Sequence, residues 1–495
     1  MIRSRSLVSP LAALALAVAL AGCAIGPDYQ RPELTVPASF KEGEGWQLAK
    51  PQDGFNHGAW WELYGDATLN ELQTRLVAAN QSLAQSVASY RQAQALAKGA
   101  RSSFFPTISA DVGKTRSGQG TGSGGSVRLP DGSTVSSGGS SSSISNSYSA
   151  SLGVSWELDL WGKLRRQLEA DTASMDASAA DLAASRLSLQ SELTQDYLQL
   201  RVMDQQIKLL NDTVTAYQRS LKLTENQYNA GIVTKADVAQ ARTQLKSTQA
   251  QAIDLKYQRA QLEHAIAVLV GVPPAQFSLA AVDGVPSLPN VPALLPSELL
   301  QRRPDVASAE RQVMSANAKI GVAKAAWFPD LTLTAAGGYR SGSFQNWIET
   351  PNRYWSIGPQ FAMTLFDGGL IASQVEQAEA SYDQTVANYR QTVLDSFREV
   401  EDYMVQLKVL EEESGVQQEA LDSAREALRL TTNQYKAGTI DYSDVVTTQT
   451  SALSNERTLL TLTGSRLTAS VQLIAALGGG WDAAKLAEEG QATRD

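Results

Sequence analysis

The segment QYNAGIVTKADV at Gln227–Val238 returns 207 residues later as QYKAGTIDYSDV at Gln434–Val445. Each copy places a glycine, Gly231 or Gly438, between two stretches that carry apolar residues at helical spacing. Glycine tolerates the positive φ with which a chain leaves a helix and reverses its direction. The segment therefore predicts a tight turn between two helices in each half of the chain, with Gly231 and Gly438 as the turn glycines.

Other segments repeat in the same order. The tripeptide LVG at Leu269–Gly271 matches ALG at Ala476–Gly478 with the same offset of 207 residues. The first copy is longer because it contains a Gly/Ser-rich tract at Ser117–Ser147, which we interpret as a solvated surface loop. The matches predict an internal two-fold repeat, with structural copies at 66–271 and 301–478. Each copy should run helix, strand, loop, strand, long helix, tight turn, helix.

Four segments alternate apolar and polar residues, as β-strands with two different faces do. They lie near 107–115, 148–160, 330–340 and 354–366. The clearest, 148–160, places Tyr, Ala, Leu, Val and Trp on one face and Ser, Gly, Glu and Asp on the other. This alternation is typical of membrane-barrel strands. It is equally typical of a soluble antiparallel sheet with one buried face, and the strands alone leave both interpretations open.

The long segments between the strands and the turns indicate coiled coils. No Gly or Pro occurs from Lys163 to about Ala230. Apolar residues over Tyr197–Tyr228 and Val375–Leu407 recur at steps of three and four. A period near 3.5 predicts a left-handed supercoil. A helix of this length would extend about 100 Å, so we expect it to pack laterally on copies of itself.

Four strands are too few to close a barrel, because single-chain barrels begin at about 8 strands. Open strand edges in lipid would leave backbone groups unpaired. Two chains would give about 8 strands around a filled interior, whereas three would give about 12 and leave a lumen. The polar faces suit water, so we favour a homotrimer. The predicted fold class is α+β: an all-α coiled-coil tunnel plus a transmembrane β-barrel to which each protomer contributes four strands.

The N-terminus carries an export signal. Two arginines precede an apolar run over 7–21 that is too short to span a bilayer, which predicts a removable signal peptide at 1–22. Cys23, the only cysteine of the chain, follows the sequence Leu-Ala-Gly, which resembles a bacterial lipobox. We therefore expect a covalent lipid on Cys23, the alternative being an ordinary signal peptide with an incidental cysteine. Ala24 in place of an aspartate favours the outer membrane.

No enzymatic or metal site is predicted. The net charge of −9 argues against a nucleic-acid partner, and a single cysteine excludes a disulfide framework. His57 and His264 are far apart in sequence, and no HExxH, GxSxG or CxxC motif occurs. Glu157 and Asp159 fall on the polar face of a strand, where lining a lumen is a better interpretation than acid–base catalysis. No cofactor is expected beyond the lipid.

Several motifs together resemble the TolC family, and more narrowly its NodT-type lipoprotein branch, which serves resistance–nodulation–division efflux systems. These motifs are GPDYQRP after Cys23, WWELYGD at Trp60–Asp66, RRPD at Arg302–Asp305, the two Phe-Pro pairs before strands, and the two QYxAG turns. The resemblance covers essentially the whole mature chain.

The resemblance implies a passive trimeric conduit for drugs, solvents or metal ions. It would have a 12-strand barrel in the outer membrane and a helical tunnel in the periplasm, with a periplasmic adaptor and an inner-membrane pump as partners. An equatorial belt would come from the lipidated segment 23–65, the connecting segment 272–300 and the C-terminal tail 479–495. A type I protein-secretion outlet and a structural trimeric coiled-coil lipoprotein remain the alternatives.

By resemblance, the helix turns near 229–236 and 436–443 form a periplasmic gate. The candidate gate residues are Asp237, Tyr435, Asp444, Thr447, Lys235 and Asp441. Asp237 would partner Tyr435, and Asp444 would contribute to an acidic ring. Thr447 stands where members of the family often carry a second Asp, which leaves fewer charge contacts to hold the gate closed, and Lys235 and Asp441 could replace some of them. Alternatively, Asp237 and Asp444 simply favour the first turn of a helix, where the helix dipole stabilises acids.

Overall fold

The computed structural model describes residues 24–34, 36–43, 59–119, 126–128, 133–136, 143–289 and 302–481. The predicted signal peptide 1–22 and Cys23 lie outside these residues. So do parts of the segments 23–65 and 272–300 and nearly all of the tail 479–495. Among the described residues, no helix is both long and apolar enough to cross a bilayer.

Seven α-helices make up most of the described residues, and their lengths match between the two halves of the chain. They are α1 (Ala67–Ala79), α2 (Gln81–Ser102), α3 (Lys163–Asn229), α4 (Lys235–Leu269), α5 (Pro304–Ala325), α6 (Leu370–Lys436) and α7 (Tyr442–Ala476). Helices α2 and α5 each have 22 residues, α3 and α6 each have 67, and α4 and α7 each have 35. We call α3 with α4 the first hairpin and α6 with α7 the second hairpin.

The described strands form one four-stranded antiparallel sheet and one short hairpin. They are β1 (Thr107–Gln119), β2 (Ser126–Arg128), β3 (Thr134–Ser136), β4 (Ser143–Leu158), β5 (Asp330–Ser341) and β6 (Arg353–Ala362). The main sheet has the order β1-β4-β5-β6, and β2 pairs with β3. Strands β4 and β5 join the two halves of the chain, with Leu158 opposite Leu331.

Two sequence expectations need correction. The strand expected near 354–366 ends at Ala362, because its only described neighbour, β5, begins at Asp330, directly opposite. The Gly/Ser tract is not simply a loop, since β1 extends through Gln119 and β2 and β3 pair within the tract. The hydroxyl groups of Ser117 and Ser145 lie 2.8 Å apart across the β1–β4 pair, so these small polar side chains prolong the ladder.

The chain divides into two compact units. The first contains the described residues up to Gln30 with those of Gln94–Thr172 and Met314–Asp383, and it holds all six strands. One face of its main sheet carries large apolar side chains that are 60–77% exposed: Ile108, Val112, Leu152, Trp355, Ile357 and Phe361. A soluble sheet would bury such a face. No described element covers it, which favours the membrane interpretation.

The second unit comprises Arg31–Ala93, Ala173–Val313 and the described residues from Gln384 onward. Its main core draws side chains from α1, α3, α4, α6 and α7, among them Leu69, Leu76, Tyr197, Ile266, Val400 and Leu473, and from the short 3-10 helix Trp60–Tyr64, which contributes Trp60. Half of the seam positions predicted from helical periodicity are buried, including Leu200, Leu210 and Val393, and all the others except Tyr228 are partly buried. The coiled-coil pattern therefore identified the packed faces of α3 and α6.

The motifs WWELYGD and RRPD have structural roles in the second unit. Asp66 accepts hydrogen bonds from the backbone of Thr68 and Leu69 and so caps α1, while Tyr197 donates to its second oxygen at 2.7 Å. Arg303 donates to Asp305 and to Glu399 at 2.6 and 2.7 Å. These bonds fix where α1 and α5 begin against the longer helices.

Candidate functional site

The turn of the first hairpin is closed by backbone hydrogen bonds around a glycine. Gly231 has φ +74°, and its N–H donates to Tyr228 O, while Ile232 N–H donates to Gln227 O. This pair of bonds is the Schellman arrangement, which satisfies the last carbonyl groups of α3. The turn glycine that the sequence predicts is therefore at the left-handed position.

The turn of the second hairpin has the same backbone. Gly438 also has φ +74°, its N–H donates to Tyr435 O, and Thr439 N–H donates to Gln434 O. An added β-carbon at Gly231 or Gly438 would meet open space within 4 Å. Glycine is therefore required at both positions because of the positive φ and not because of crowding. Both turns are thus specified locally, by the same short motif.

The carboxylate of Asp237 caps its own helix. It accepts hydrogen bonds from the backbone N–H and the hydroxyl of Thr234, both at 2.8 Å, while Asp237 N–H donates to Thr234 Oγ1. This reciprocal capping box begins α4. The helix-terminus interpretation therefore accounts for Asp237 within one chain, and the gate role of Asp237 stays a prediction.

Tyr435 is buried and bonds to the first hairpin. Its hydroxyl donates to Gln227 Oε1 at 2.6 Å, and its ring lies 5.3 Å from that of Tyr442, which is also buried. Burial raises the pKa of the Tyr435 hydroxyl, with a smaller contribution from the negative charge of Asp237. Asp237 is thus an electrostatic neighbour of Tyr435, but the hydrogen-bond partners of the Tyr435 hydroxyl in the chain are Gln227 and, at 3.5 Å, Thr224.

The remaining candidate gate residues lie on the surface of the two turns. Asp441 precedes α7 without a side-chain capping bond, and Asp444 stands in the first turn of that helix. The hydroxyl of Thr447 donates to Ser443 O within the helix at 2.9 Å. Lys235 is the first residue of α4 and is exposed. The structure brings them to the two hairpin ends, where their part in a gate stays a prediction.

Further hydrogen bonds join the two hairpins along their length. The hydroxyl groups of Ser220 and Tyr442 lie 3.1 Å apart, and Gln244 donates to Thr450 at 3.1 Å. Arg457 donates to Gln251 at 2.9 Å. Sequence reasoning did not single out these polar partners, since nothing in a helical repeat indicates which glutamine or serine faces a neighbouring helix.

The segment that follows Cys23 is fixed in the first unit. Ile25 N–H donates to Trp161 O at 3.0 Å, and the guanidinium of Arg166 donates to Ile25 O and to Asp28. Gly26 has φ +107°, and a β-carbon there would collide with the backbone of Gly321. The chain is therefore held beside the junction between β4 and α3. Cys23 itself precedes the described residues by one position.

Glu157 and Asp159, at the end of β4, are engaged in ion pairs. Lys163 Nζ lies 3.2 Å from Glu157, and Arg165 Nε lies 3.1 Å from Asp159. Asp159 also accepts from the backbone N–H of Leu164, so it caps the start of α3. Within the described ranges, no group of three or more His, Cys, Asp or Glu side chains is placed to hold a metal ion. His57 falls outside those ranges.

The sequence pattern of a known family matches most of the chain. The outer membrane efflux protein pattern matches residues 72–272 and 295–479. The chain belongs to the outer membrane efflux protein family. This confirms the predicted family, the outer-membrane localisation and the efflux function.

Individual members of the outer membrane efflux protein family agree with this assignment. The chain is 30% identical over 479 residues to SepC of Pseudomonas putida, a probable efflux pump outer membrane protein, covering 95% of this chain and 96% of SepC. It is 28% identical over 470 residues to the cation efflux system protein CusC of Escherichia coli, covering 94% and 97%. The solved outer-membrane channel OprN is similar with a TM-score of 0.84 and 28% identity, covering 93% of this chain and all of OprN.

Proposed function

We propose that this outer membrane efflux protein is the exit conduit of a tripartite efflux pump. Three copies form a passive channel that carries small molecules from the periplasm to the exterior, while an inner-membrane pump of the resistance–nodulation–division type and a periplasmic adaptor supply selection and energy. The observation that carries the proposal is the four-stranded sheet, which has one exposed apolar face and, among the described residues, two unpaired edges.

The edges explain why one copy is insufficient. Among the described residues, β1 pairs only with β4, and β6 pairs only with β5. Each unpaired backbone group in lipid costs several kcal/mol, so membrane strands occur in closed barrels. Pairing β6 of one copy with β1 of the next closes a barrel when the sheet is repeated. Three copies give about 12 strands, enough to leave an aqueous lumen.

Exposed apolar stripes on the helices support lateral association of the same copies. On α4 the stripe consists of Ile253, Tyr257 and Val268, and on α6 it consists of Val405, Val409 and Val416. Each set is spaced to lie along one helix face. Exposed apolar side chains on one helix face are suited to protein contacts. In the trimer these faces pack against neighbouring hairpins and form the tunnel wall. The two halves of each chain are an internal repeat, so each half contributes one hairpin to that wall.

A lipid on Cys23 would anchor the first unit, which also holds the strands. Ala24, the residue that follows Cys23 in the sequence, contacts the β4–α3 junction at Gly162. Acyl chains there would enter the leaflet next to the inner end of the strands. More than one acyl chain gives stable attachment. The lipid and the barrel would therefore hold the protomer in the outer membrane at one level.

The gate lies at the two hairpin turns. Tyr435 is the central residue, with Asp237, Asp444, Asp441, Lys235 and Thr447 around it. The acidic residues give the entrance a negative field, which favours cations modestly. The exported compounds are small organic molecules or metal ions, consistent with the family, and the pump partner selects among them.

The decisive experiment measures the mass of the purified oligomer and the ion conductance of bilayers that contain it. Native mass spectrometry of the detergent-purified protein should give three copies, and planar bilayers containing it should pass ions. Cys23→Ser is the matched control, because it removes the lipid and should leave both the trimer and the conductance. A monomer, or a protein that never conducts, would overturn the proposal. In a strain without its own channel, expression should restore resistance to at least one exported compound.

A further inference from the structure

A groove crosses the exposed apolar face of the main sheet. Its volume is about 610 Å³, and its lining includes one row of cross-strand partners: Ala110, Leu152, Gly337 and Trp355. The side chains of Leu152 and Trp355 are 60% and 73% exposed, and Gly337 lies between them without a side chain of its own. The groove therefore has apolar walls and an open floor, which suit an extended hydrocarbon chain.

The next row of the sheet ends at Arg353 and lies closer to the exterior. Helices adjoin the opposite end of the sheet, where β1 and β5 begin and where β4 and β6 end. In the proposed channel those helices lie in the periplasm. The connections from β1 to β4 and from β5 to β6 consequently face outward, and Arg353 marks the outer end of the groove.

Three basic side chains share the apolar face at this outer end. Lys114 and Arg116 follow Val112 at alternate positions of β1, and Arg353 is the first residue of β6. All three are exposed, and none of them has an ion-pair partner within the described part of the chain. The described β5–β6 connection contains one acid, Glu349. The outer end of this face therefore carries an excess of positive charge.

Aromatic rings mark the same level of the sheet. Tyr148 is the cross-strand partner of Lys114, whose Nζ lies 5.3 Å from the centre of the tyrosine ring. Phe344 and Trp347, from the β5–β6 connection, lie with their ring centroids 5.5 and 6.4 Å from that of Tyr148. Tyr and Trp concentrate at the boundary between hydrocarbon and headgroups. The basic side chains thus lie at the headgroup level, with the groove directly beneath them.

We infer that the groove binds a phosphorylated glycolipid of the outer leaflet, with an acyl chain over Gly337 and phosphate groups on the basic side chains. Strands β1 and β6 are three strand spacings apart, about 14 Å. Two separated basic groups, Arg353 on β6 and Lys114 with Arg116 on β1, suit a headgroup that carries two phosphates. The inference rests on the proposed barrel, in which β6 pairs with β1 of the next copy and the apolar face stays exposed to lipid.

Binding of lipid A with two phosphates to the full-length protein in detergent tests the charge contacts. Native mass spectrometry should show this lipid bound more tightly than phosphatidylglycerol, which has one phosphate. Arg353→Gln should weaken binding about fivefold at low salt, and Lys114→Gln with Arg116→Gln should weaken it about twentyfold. High salt should reduce these differences, because it screens the charges.

Arg340→Gln is the matched control for charge. Arg340 lies on the opposite face of β5, where its guanidinium is 5.3 Å from the centre of the Tyr354 ring. This variant should bind lipid A as the wild type does. Equal binding by the wild type and the Arg353→Gln variant, an equal loss in the Arg340→Gln variant, or equally tight phosphatidylglycerol would overturn the inference.

Filling the groove tests the acyl-chain contact separately. A β-carbon at Gly337 would lie 3.8 Å from Tyr354 O and 3.9 Å from Trp355 Cβ, which is ordinary contact, so the sheet accommodates Gly337→Leu. This variant should weaken lipid A binding about threefold or more at any salt concentration, because the acyl chain loses packing contacts. Ala335→Leu adds an apolar side chain to the same face two residues along β5 and should leave binding unchanged.

Conductance in planar bilayers separates the possible failures. All of these variants should conduct as the wild type does, because their side chains lie on the lipid face or, for Arg340, outside the proposed gate. A conducting wild-type protein that binds lipid A no more tightly than its Gly337→Leu variant does would refute the inference. A wild-type protein that never conducts would refute the proposed function instead.

Discussion

Replacing Tyr435 with phenylalanine removes one hydroxyl group from the contact between the two hairpins. The ring remains packed on Tyr442, but the bond of 2.6 Å to Gln227 is lost. A hydrogen bond of this kind contributes about 0.5–1.5 kcal/mol net. If the loss costs about 1 kcal/mol in each copy and the three contacts open together, the closed state is destabilised by about 3 kcal/mol. The equilibrium constant for opening then rises roughly a hundredfold. Contacts that open one at a time would give only about a fivefold change.

Closed-state conductance of the purified trimer in planar bilayers measures this change directly. Tyr435→Ala should have a larger effect, because removing a buried aromatic side chain costs about 3–5 kcal/mol. Tyr64→Phe is the matched control, since it removes a buried hydroxyl that lies 2.7 Å from Ser470 in the main core. That variant should lower thermal stability without altering the leak. A Tyr435→Phe trimer with wild-type leak would refute the reasoning and remove Tyr435 from the gate.

Four other substitutions test separate parts of the structure. Gly231→Ala and Gly438→Ala should each cost about 1–2 kcal/mol, because alanine resists the positive φ, and a fall in melting temperature of similar size for both would verify it. Burial, with a smaller contribution from a neighbouring carboxylate, raises the pKa of Asp196 to about 6. The folded protein therefore holds the protonated form of Asp196 more readily than the unfolded chain does. This contribution to the free energy of unfolding is fully present below the unfolded pKa and is lost as pH rises through 6. Asp196→Asn should therefore melt higher than wild type above pH 6 and at the same temperature as wild type well below the unfolded pKa, and equal melting temperatures at every pH would contradict this. Arg166→Gln removes hydrogen bonds to the segment after Cys23, so limited proteolysis should cut that segment faster, and a cutting rate equal to that of the wild type would contradict this.

Local pattern was enough to place most of the secondary structure. The absence of Gly and Pro after Lys163 predicts a helix that does end at Asn229, and the two turn glycines have the left-handed conformation expected of them. These features depend on residues within one or two turns of each other, so a single sequence contains the necessary information. The strand positions followed from the alternation of apolar and polar residues. The interpretation of Ser117–Ser147 as a loop was incomplete, because the serines in its strands carry no apolar signal.

The partners of the functional side chains were decided by tertiary structure. The sequence contains two QY pairs and two acidic first turns that are indistinguishable by pattern. Only the packing of α6 on α3 joins Tyr435 to Gln227, leaves Tyr228 exposed and leaves Asp237 to cap its own helix. The order β1-β4-β5-β6 is likewise a long-range result. Spacing along a chain determines which face of a helix or strand is apolar, but the free energy of packing depends on which other surface covers that face.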